Sequence, residues 1–287
     1  MGALVFAMGP VHLDAEGAEV RARLGARLSA ALGAGVEVVA TRSYAELAAR
    51  MSGGSAHLGW MPPAVFVRTE ASAGLRLLAA IERSLGDGYR GVLFVPRDSS
   101  IRTLTDLSGA RMAWVDRDSS AGYLFVRHAL RAAGFEPGEL FGDERFEGSH
   151  AAVVRAVLRG DADAGATHAQ TRPRPATAPA PAAGPQGTMI IPELQVQGRP
   201  DEIVLAAWAP YAGADGMRAL LVSAPIPSDV ICASRALEPA LLERVRDALL
   251  SLHEGGDDPD LLDEVFGGAR LLPASTRDYD PVREAVR

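Results

Sequence analysis

The sequence is poor in several residue types, and each shortage excludes a class of protein. It contains one cysteine, Cys232, and no lysine, so all 29 basic residues are arginine. A single cysteine excludes an intrachain disulfide framework and a multi-cysteine metal site. No run of about 18 apolar residues occurs, so no membrane-spanning helix is predicted. The net charge is −7 and the arginines form no basic run, which argues against a nucleic-acid partner.

The remaining composition favours a soluble protein with a large core. Hydrophobic residues make up 48% of the 287 residues, and a chain of this length usually divides into about two domains. The six histidines show no metal-ligand spacing, so no metal and no cofactor are expected. Cys232 lies in an apolar stretch without a neighbouring histidine, which predicts a buried, unreactive thiol.

The N-terminal residues do not have the pattern of an export signal. Met1-Gly2-Ala3 leads directly into the apolar stretch 4–8, without a basic region, a long apolar region or a cleavage site. Phe6 stands where N-myristoylation requires Ser or Thr. The expectation is a chain without a secretory signal, which is cytoplasmic if Met1 is the native start.

Hydrophobic periodicity predicts alternating strands and helices. The predicted strands are 4–8, 36–40, 57–61, 75–81, 89–96, 111–115, 162–167, 219–223 and 226–233. The predicted helices are 15–32, 44–51, one from 62 onward, 104–109 as a short turn, 122–133, 151–159, 239–253 and 259–266. This alternation is typical of βαβ units and parallel sheets. The stretch 171–187 contains five prolines and predicts a mobile surface loop.

Polar side chains stand at three points where a new helix or strand begins. Ser119 and Ser120 begin a predicted helix, whose free N–H groups and dipole favour an anion. His150 begins the next helix, and Asp229 follows two prolines and precedes an apolar strand. Each point also has an interpretation without a ligand. At the first, Asp118 or Ser119 is an ordinary N-cap; at the second, Ser149 is the N-cap and His150 is solvated; at the third, Asp229 forms a turn.

The same segments, with their neighbours, resemble one protein family. The matching stretches are Tyr44-Ala-Glu-Leu, Gly59-Trp60, Gly88-Tyr89-Arg90-Gly91-Val-Leu-Phe-Val, Leu104-Thr-Asp-Leu-Ser-Gly109, Asp118-Ser-Ser-Ala-Gly-Tyr123, Gly148-Ser-His150, Val157-Leu-Arg-Gly-Asp-Ala-Asp163-Ala-Gly and Ala224-Pro-Ile-Pro-Ser-Asp229. In order and spacing they resemble the PhnD-like substrate-binding proteins of phosphonate, phosphite and phosphate ABC transporters. The resemblance extends from about residue 4 to 170 and from about 218 to 280.

The resemblance implies a fold and a set of partners. The fold is the type II periplasmic-binding-protein fold, in which each of two α/β lobes has a mixed, mostly parallel sheet flanked by helices, with a cleft at a two-strand hinge. The implied lobes are 1–91 with 224–287, and 92–223, the second with a Pro/Ala-rich loop at about 171–200. The implied partners are a small phosphorus oxyanion and, if the chain is exported to the periplasm or cell envelope, a transporter permease. A monomer is expected.

Four residues are implied to bind the oxyanion. Ser119 and Ser120 occupy the family's anion-binding hydroxyl positions, and His150 occupies the position of a histidine that contacts the same group. Tyr44 matches a tyrosine that reaches the phosphonyl oxygens. Ala121 departs from the family pattern, because it replaces a hydroxyl donor.

Three further residues are implied to complete the site. Tyr89 matches a tyrosine on the strand that crosses between the lobes, and Asp229 matches an acid that receives the organic end of the ligand, often an amine. Gln170 stands where aminophosphonate binders carry a second acid, which puts aminoethylphosphonate itself in doubt. Trp208 and Tyr211 lie in a longer connection than is usual for the family. They either reach the cleft or pack in the interior, and packing is the expectation for both.

The sequence leaves three classes of function open. The leading hypothesis is a non-catalytic binding component of an importer. A cytoplasmic ligand sensor or accessory binder is the alternative that the N-terminal residues favour. An enzyme on the same fold is the third, with His150 and Asp229 as an acid–base pair, but no set of nucleophile, base and orienting group is visible.

Overall fold

The computed structural model describes residues 3–10, 14–82, 89–172, 200–213, 215–254 and 258–286. The chain divides into two units, which we call unit 1 (Met1–Ser84 with Pro227–Arg287) and unit 2 (Leu85–Ile226). Residues 173–199, which make up most of the predicted Pro/Ala-rich loop, lie outside the described residues. None of the helices in the described ranges is long and apolar enough to cross a membrane.

The secondary structure alternates as the periodicity predicts. The strands are β1 (Leu4–Met8), β2 (Val36–Ala40), β3 (Leu58–Met61), β4 (Arg76–Glu82), β5 (Tyr89–Pro96), β6 (Arg111–Trp114), β7 (Asp143–Phe146), β8 (Ala164–Thr171), β9 (Ile203–Ala206), β10 (Met217–Pro225), β11 (Val230–Ala233) and β12 (Arg270–Leu272). The helices are α1 (Ala15–Leu32), α2 (Tyr44–Ser52), α3 (Pro63–Ala73), α4 (Phe125–Ala132), α5 (Pro137–Leu140), α6 (His150–Leu158), α7 (Ala209–Ala212), α8 (Pro239–Leu250), α9 (Leu261–Phe266) and α10 (Asp280–Ala285).

Unit 1 is built on one sheet with the strand order β12-β4-β11-β3-β1-β2. β1 pairs in parallel with β2 and β3, and β11 is antiparallel to both β3 and β4. The apolar stripe of α1 packs on one face together with α8 and α9, which buries Phe6, Leu24 and Leu28 almost completely. α1 begins at the N-cap Asp14 and ends at Gly33, whose φ of 62° suits glycine.

Unit 2 is built on a second sheet with the strand order β10-β5-β8-β6-β7, and β9 pairs with β8. β6 is parallel to β7 and β8, whereas β5 is antiparallel to β8 and β10. α4 covers one face through Val126 and Leu130, and α6 covers the other through Val153 and Val157. Because β6 and β7 are parallel, the segments that begin after them start at the same edge of the sheet.

The sheets contain more antiparallel strand pairs than predicted. The antiparallel pairs arise from strands that return from distant parts of the chain, such as β10 on β5 and β11 on β3. The predicted strand 226–233 begins only at Val230, since Pro227 has no N–H to donate to a ladder. β7, β9 and β12 were not predicted, because they are short and, in β7, mostly polar.

Cys232 is buried on β11, as the sequence predicts. Its Sγ lies 3.7 Å from the carbonyl oxygen of Gly59 and 3.4 Å from Sδ of Met61. Burial raises the pKa of the Cys232 thiol, so the reactive thiolate is suppressed.

We therefore expect Cys232 to react with a thiol reagent only after the protein unfolds. In native buffer, a chromogenic disulfide reagent should release no colour over the minutes in which a free thiol reacts fully. In denaturant, one thiol per chain should react, which provides the internal control. Rapid modification of the native protein would contradict the buried position of Cys232.

Candidate functional site

In unit 2, a π-helical turn at Ser120–Leu124 replaces the start of the predicted helix. Ser119 is its N-cap, and the Ser119 hydroxyl accepts from the Gly122 N–H at 3.0 Å. Ser119 and Ser120 are both buried, with 7% and 6% of their surface exposed. A hydroxyl that accepts one hydrogen bond still has its own proton to donate. The N-cap interpretation of Ser119 is thus confirmed, and it is compatible with anion binding.

Two glycines allow this turn to lie directly against the sheet. A Cβ on Gly91 of β5 would lie 2.7 Å from the Ala121 carbonyl oxygen. A Cβ on Gly122 would lie 2.3 Å from Cγ2 of Val115 and 3.0 Å from Oγ of Ser119. These separations are shorter than van der Waals contact, so any side chain at either position would displace the turn.

His150 begins α6 and is half-buried. Ser149 is the N-cap and accepts from the Ala152 N–H at 3.2 Å, which confirms the plainer interpretation of Ser149. The interpretation of His150 as a solvated residue is wrong, because its Nδ1 lies 2.9 Å from Oγ1 of Thr167 on β8. Its ring also meets the His168 ring edge to face, with 4.6 Å between centroids.

The environment of His150 keeps its imidazole neutral. Burial, with a smaller contribution from the charge of His168, lowers the pKa of His150 to about 3. A neutral imidazole has one N–H donor. If the Thr167 hydroxyl donates to Nδ1, that N–H is on Nε2.

His168 connects His150 to Tyr89, which is another of the residues predicted to bind the ligand. Its ring stacks on Tyr89 at 5.6 Å between centroids, with an angle of 30° between the ring planes. Tyr89 is also the cross-strand neighbour of Gln170 in the β5–β8 ladder. His150, Tyr89 and Gln170 therefore lie near one another around the end of β8. The sequence analysis did not assign Thr167 to the site, and it missed His168 because it ended this strand at residue 167, four residues too early.

The serine turn and the His150 loop are joined through the chain after β6. The Gly148 N–H donates to the Val115 carbonyl oxygen at 2.8 Å. Val115 in turn donates its N–H to the carbonyl oxygen of Gly122 at 3.3 Å. The two anion-binding segments predicted for unit 2 therefore lie at the same edge of the sheet.

Unit 2 also contains a buried arginine that the sequence analysis did not assign to the site. Arg90 follows Tyr89 on β5 and is 8% exposed. Its Nε donates to Oγ1 of Thr171 at 3.0 Å, and one terminal nitrogen donates to the Ser223 carbonyl oxygen at 2.9 Å. The guanidinium therefore ties β5 to β8 and β10 beside the predicted residues.

In unit 1, Tyr44 and Asp229 line one small pocket of about 60 Å³. Gly9, Trp60 and Pro62 complete its walls. Tyr44 is the first residue of α2, and a Cβ on Gly9 would lie 2.8 Å from its ring. The pocket lies at the carboxyl ends of β1 and β3, where parallel strands commonly present ligand-binding groups.

The two aromatic residues of the longer connection differ from each other. Trp208 is 3% exposed and packs on Phe94 with 5.1 Å between ring centroids, so the packing prediction is confirmed for it. Tyr211 is 47% exposed and lies beside the guanidinium of Arg155, so the packing prediction is wrong for Tyr211. In the parts of the chain that the structure describes, no His, Cys, Asp and Glu side chains group in threes to hold a metal ion.

Comparisons with known proteins agree with this architecture. A family model described as "ABC transporter, phosphonate, periplasmic substrate-binding protein" matches residues 6–279. A Xanthomonas citri protein bound to ATP is similar, with a TM-score of 0.74 and 17% identity over 100% of this chain and 96% of that one.

Two further solved structures are also similar. A binding protein component of an ABC phosphonate transporter from Pseudomonas aeruginosa has a TM-score of 0.73 and 15% identity, over 99% of this chain and 86% of that one. PhnD1 from Prochlorococcus marinus in complex with methylphosphonate has a TM-score of 0.70 and 17% identity, over 99% of this chain and 96% of that one. Because these identities are low, the similarity shows the fold, which is the type II periplasmic-binding-protein fold that the sequence resemblance implies.

Proposed function

The chain belongs to the family of periplasmic substrate-binding proteins of phosphonate ABC transporters, and from that premise we propose that it binds a small phosphorus oxyanion. The candidate ligands are phosphonate, phosphite, phosphate and phosphate esters. The observation that carries the proposal is the buried serine turn of unit 2 beside the half-buried, neutral His150.

These groups suit reversible binding of a phosphorus oxyanion. The hydroxyls of Ser119 and Ser120 and the N–H groups of the turn are donors without formal charge. With the Thr167 hydroxyl donating to Nδ1, the neutral imidazole of His150 adds one more donor, and the burial of the serines strengthens their hydrogen bonds to an anion. Such a site binds through several directed donors, and the anion can leave because no fixed positive charge in this set holds it.

The unit 1 pocket is the proposed site for the organic part of the ligand. Its volume of about 60 Å³ corresponds to about two water-sized groups, at roughly 30 Å³ each. Asp229 supplies an acceptor and Tyr44 an aromatic wall with a hydroxyl. A methyl, aminomethyl or hydroxymethyl substituent matches this size, whereas an aryl group does not. PhnD1, which was solved with methylphosphonate, supports a substituent of this size.

The family consists of transporter components, so the proposed role is delivery of the oxyanion to a permease of an ABC importer rather than catalysis. The periplasm is the compartment in which this family acts.

A thermal-shift screen tests the proposed function. Methylphosphonate, aminomethylphosphonate, phosphite and phosphate are each added at a range of concentrations. A ligand at 100 times its Kd stabilises the folded state by about 2.7 kcal/mol, which raises the melting temperature by several degrees. Calorimetry then gives the Kd of the compounds that shift it.

Sodium chloride at matched ionic strength is the control for non-specific salt effects. We expect at least one phosphorus oxyanion to stabilise the protein with a one-to-one stoichiometry. If none of the four compounds changes the melting temperature beyond the chloride control, the proposed ligand class is wrong.

A further inference from the structure

Tyr279 lies next to the proposed unit 1 pocket but is not among its predicted residues. It ends a short 3₁₀ turn, Thr276–Tyr279, and is only 1% exposed. Its hydroxyl donates to the carbonyl oxygen of Ser228 at 3.0 Å. Its ring packs edge to face on Phe66 of α3, with 5.6 Å between centroids. The hydroxyl therefore reaches the residue immediately before Asp229.

The hydrogen bond from Tyr279 fixes the peptide group that leads into Asp229. The Ser228 carbonyl and the Asp229 N–H belong to one planar peptide unit. Holding that carbonyl restricts rotation of the plane, and with it the direction in which the Asp229 side chain leaves the backbone. On the other side, the Asp229 carbonyl oxygen accepts from the Ile81 N–H at 3.1 Å. The backbone of Asp229 is thus held on both sides.

Electrostatics supports the donor role of the Tyr279 hydroxyl. Burial, with contributions from the charges of Asp229 and Asp278, raises the pKa of Tyr279. The phenol therefore remains protonated at neutral pH and can donate. The contribution from Asp229 also shows that its carboxylate is close enough to act on the phenol electrostatically.

We propose that Tyr279 is a positioning residue that orients Asp229 in the unit 1 pocket and so sets the preference for an amine-bearing organic end over an alkyl one. The proposal rests on the proposed function of that pocket. An ammonium group donates to a carboxylate only when the carboxylate points at it, whereas a methyl group makes no directed contact with Asp229. Loss of the positioning bond should therefore affect the two kinds of ligand unequally.

The substitution Tyr279→Phe tests this, because it removes the hydroxyl and keeps the ring on Phe66. Calorimetry gives the Kd of aminomethylphosphonate and methylphosphonate for the wild type and the variant. We expect aminomethylphosphonate to bind about fivefold more weakly to the variant, as for a typical lost hydrogen bond, and methylphosphonate to bind equally well to both. Tyr211→Phe, which removes an exposed hydroxyl in unit 2, is the matched control and should change neither Kd.

A double-mutant cycle with Asp229→Asn tests whether the effect acts through Asp229. In the Asp229→Asn background, Tyr279→Phe should no longer weaken aminomethylphosphonate selectively. Equal losses for both probes, or a wild type that shows no preference for aminomethylphosphonate, overturn the specificity role. A melting temperature measured for each variant confirms that it is folded.

Hydrogen exchange gives a second result that does not depend on a ligand. Peptides covering 226–231 should exchange faster in Tyr279→Phe than in the wild type, whereas peptides covering 89–96 should be unchanged. Unchanged exchange at 226–231 overturns the positioning role. If the wild type binds neither phosphonate, the proposed function of the pocket fails, and the exchange result alone then decides whether Tyr279 positions Asp229.

Discussion

Gly122→Ala is expected to weaken phosphonate binding by at least about tenfold and to lower the free energy of unfolding by about 1–3 kcal/mol. The added methyl group would lie 2.3 Å from Cγ2 and 2.6 Å from Cβ of Val115. The Cβ of Val115 is fixed by the backbone and cannot rotate away, so the turn itself must move. Ser119, whose Oγ would be 3.0 Å from the new carbon, moves with it.

The binding loss should exceed what the stability loss explains. A displaced turn misaligns the hydroxyls and N–H groups that are proposed to hold the oxyanion, and hydrogen bonds weaken steeply with angle. Titration calorimetry well below the melting temperature measures the Kd of the folded variant, and thermal unfolding measures its stability separately. Gly91→Ala, which presses on the same turn from β5, should have a similar effect on binding.

Gly138→Ala is the matched control for these substitutions. A Cβ at Gly138, on the short helix α5, would meet no atom within 4 Å, and its φ is not in the left-handed region. We expect it to leave the Kd unchanged. If Gly122→Ala keeps the wild-type affinity although its stability falls, the serine turn does not hold the oxyanion.

The elements that local patterns determine could be predicted from the sequence. α1 was predicted with its observed bounds, because its leucines recur every four residues and Gly33 ends it with φ at 62°. β5 was also predicted with its observed bounds, because it contains the apolar run 92–95, in which all four residues are buried. In both cases the residues that decide the structure lie within the element itself.

The π-helical turn could not be predicted in the same way. In the sequence, Ser120–Leu124 has nothing to distinguish it from the first turn of an ordinary helix. Its wider hydrogen bonds, such as Leu124 N–H to the Ser119 carbonyl oxygen at 3.0 Å, form where the turn meets Gly91 on a different strand. The conformation of the turn therefore depends on packing between distant segments.

In the candidate site too, the residue types could be predicted from local patterns, whereas the contacts between distant segments could not. The residue types at Ser119, His150 and Asp229 could be identified from their positions at the starts of elements. Their surroundings could not, since His168 reaches His150 only because β8 continues to Thr171. Likewise, Tyr279 reaches Ser228 across a sequence separation of 51 residues. Those contacts determine protonation and orientation, which a single sequence does not reveal.

His150 is expected to make the protein progressively less stable as the pH falls below about 6.5. Burial lowers the pKa of His150 in the folded state from 6.5 to about 3. Between these values the unfolded chain binds a proton at this position and the folded chain does not. Stability therefore rises with pH across this window, so the contribution of His150 is complete above pH 6.5 and is lost as the pH falls toward 3.

The size of this effect should be a few kcal/mol, since each unit of pKa difference corresponds to about 1.4 kcal/mol. Denaturant unfolding at pH 7.5, 6.0, 5.0 and 4.5 measures it in the wild type and in His150→Gln, whose amide can still hydrogen-bond to Thr167 but does not titrate. The variant should be less stable than the wild type at pH 7.5, and this difference should shrink or reverse at pH 4.5. Parallel profiles for the wild type and His150→Gln would mean that His150 is protonated in the folded protein as readily as in the unfolded chain. A neutral imidazole would then not be the donor that the oxyanion meets in unit 2.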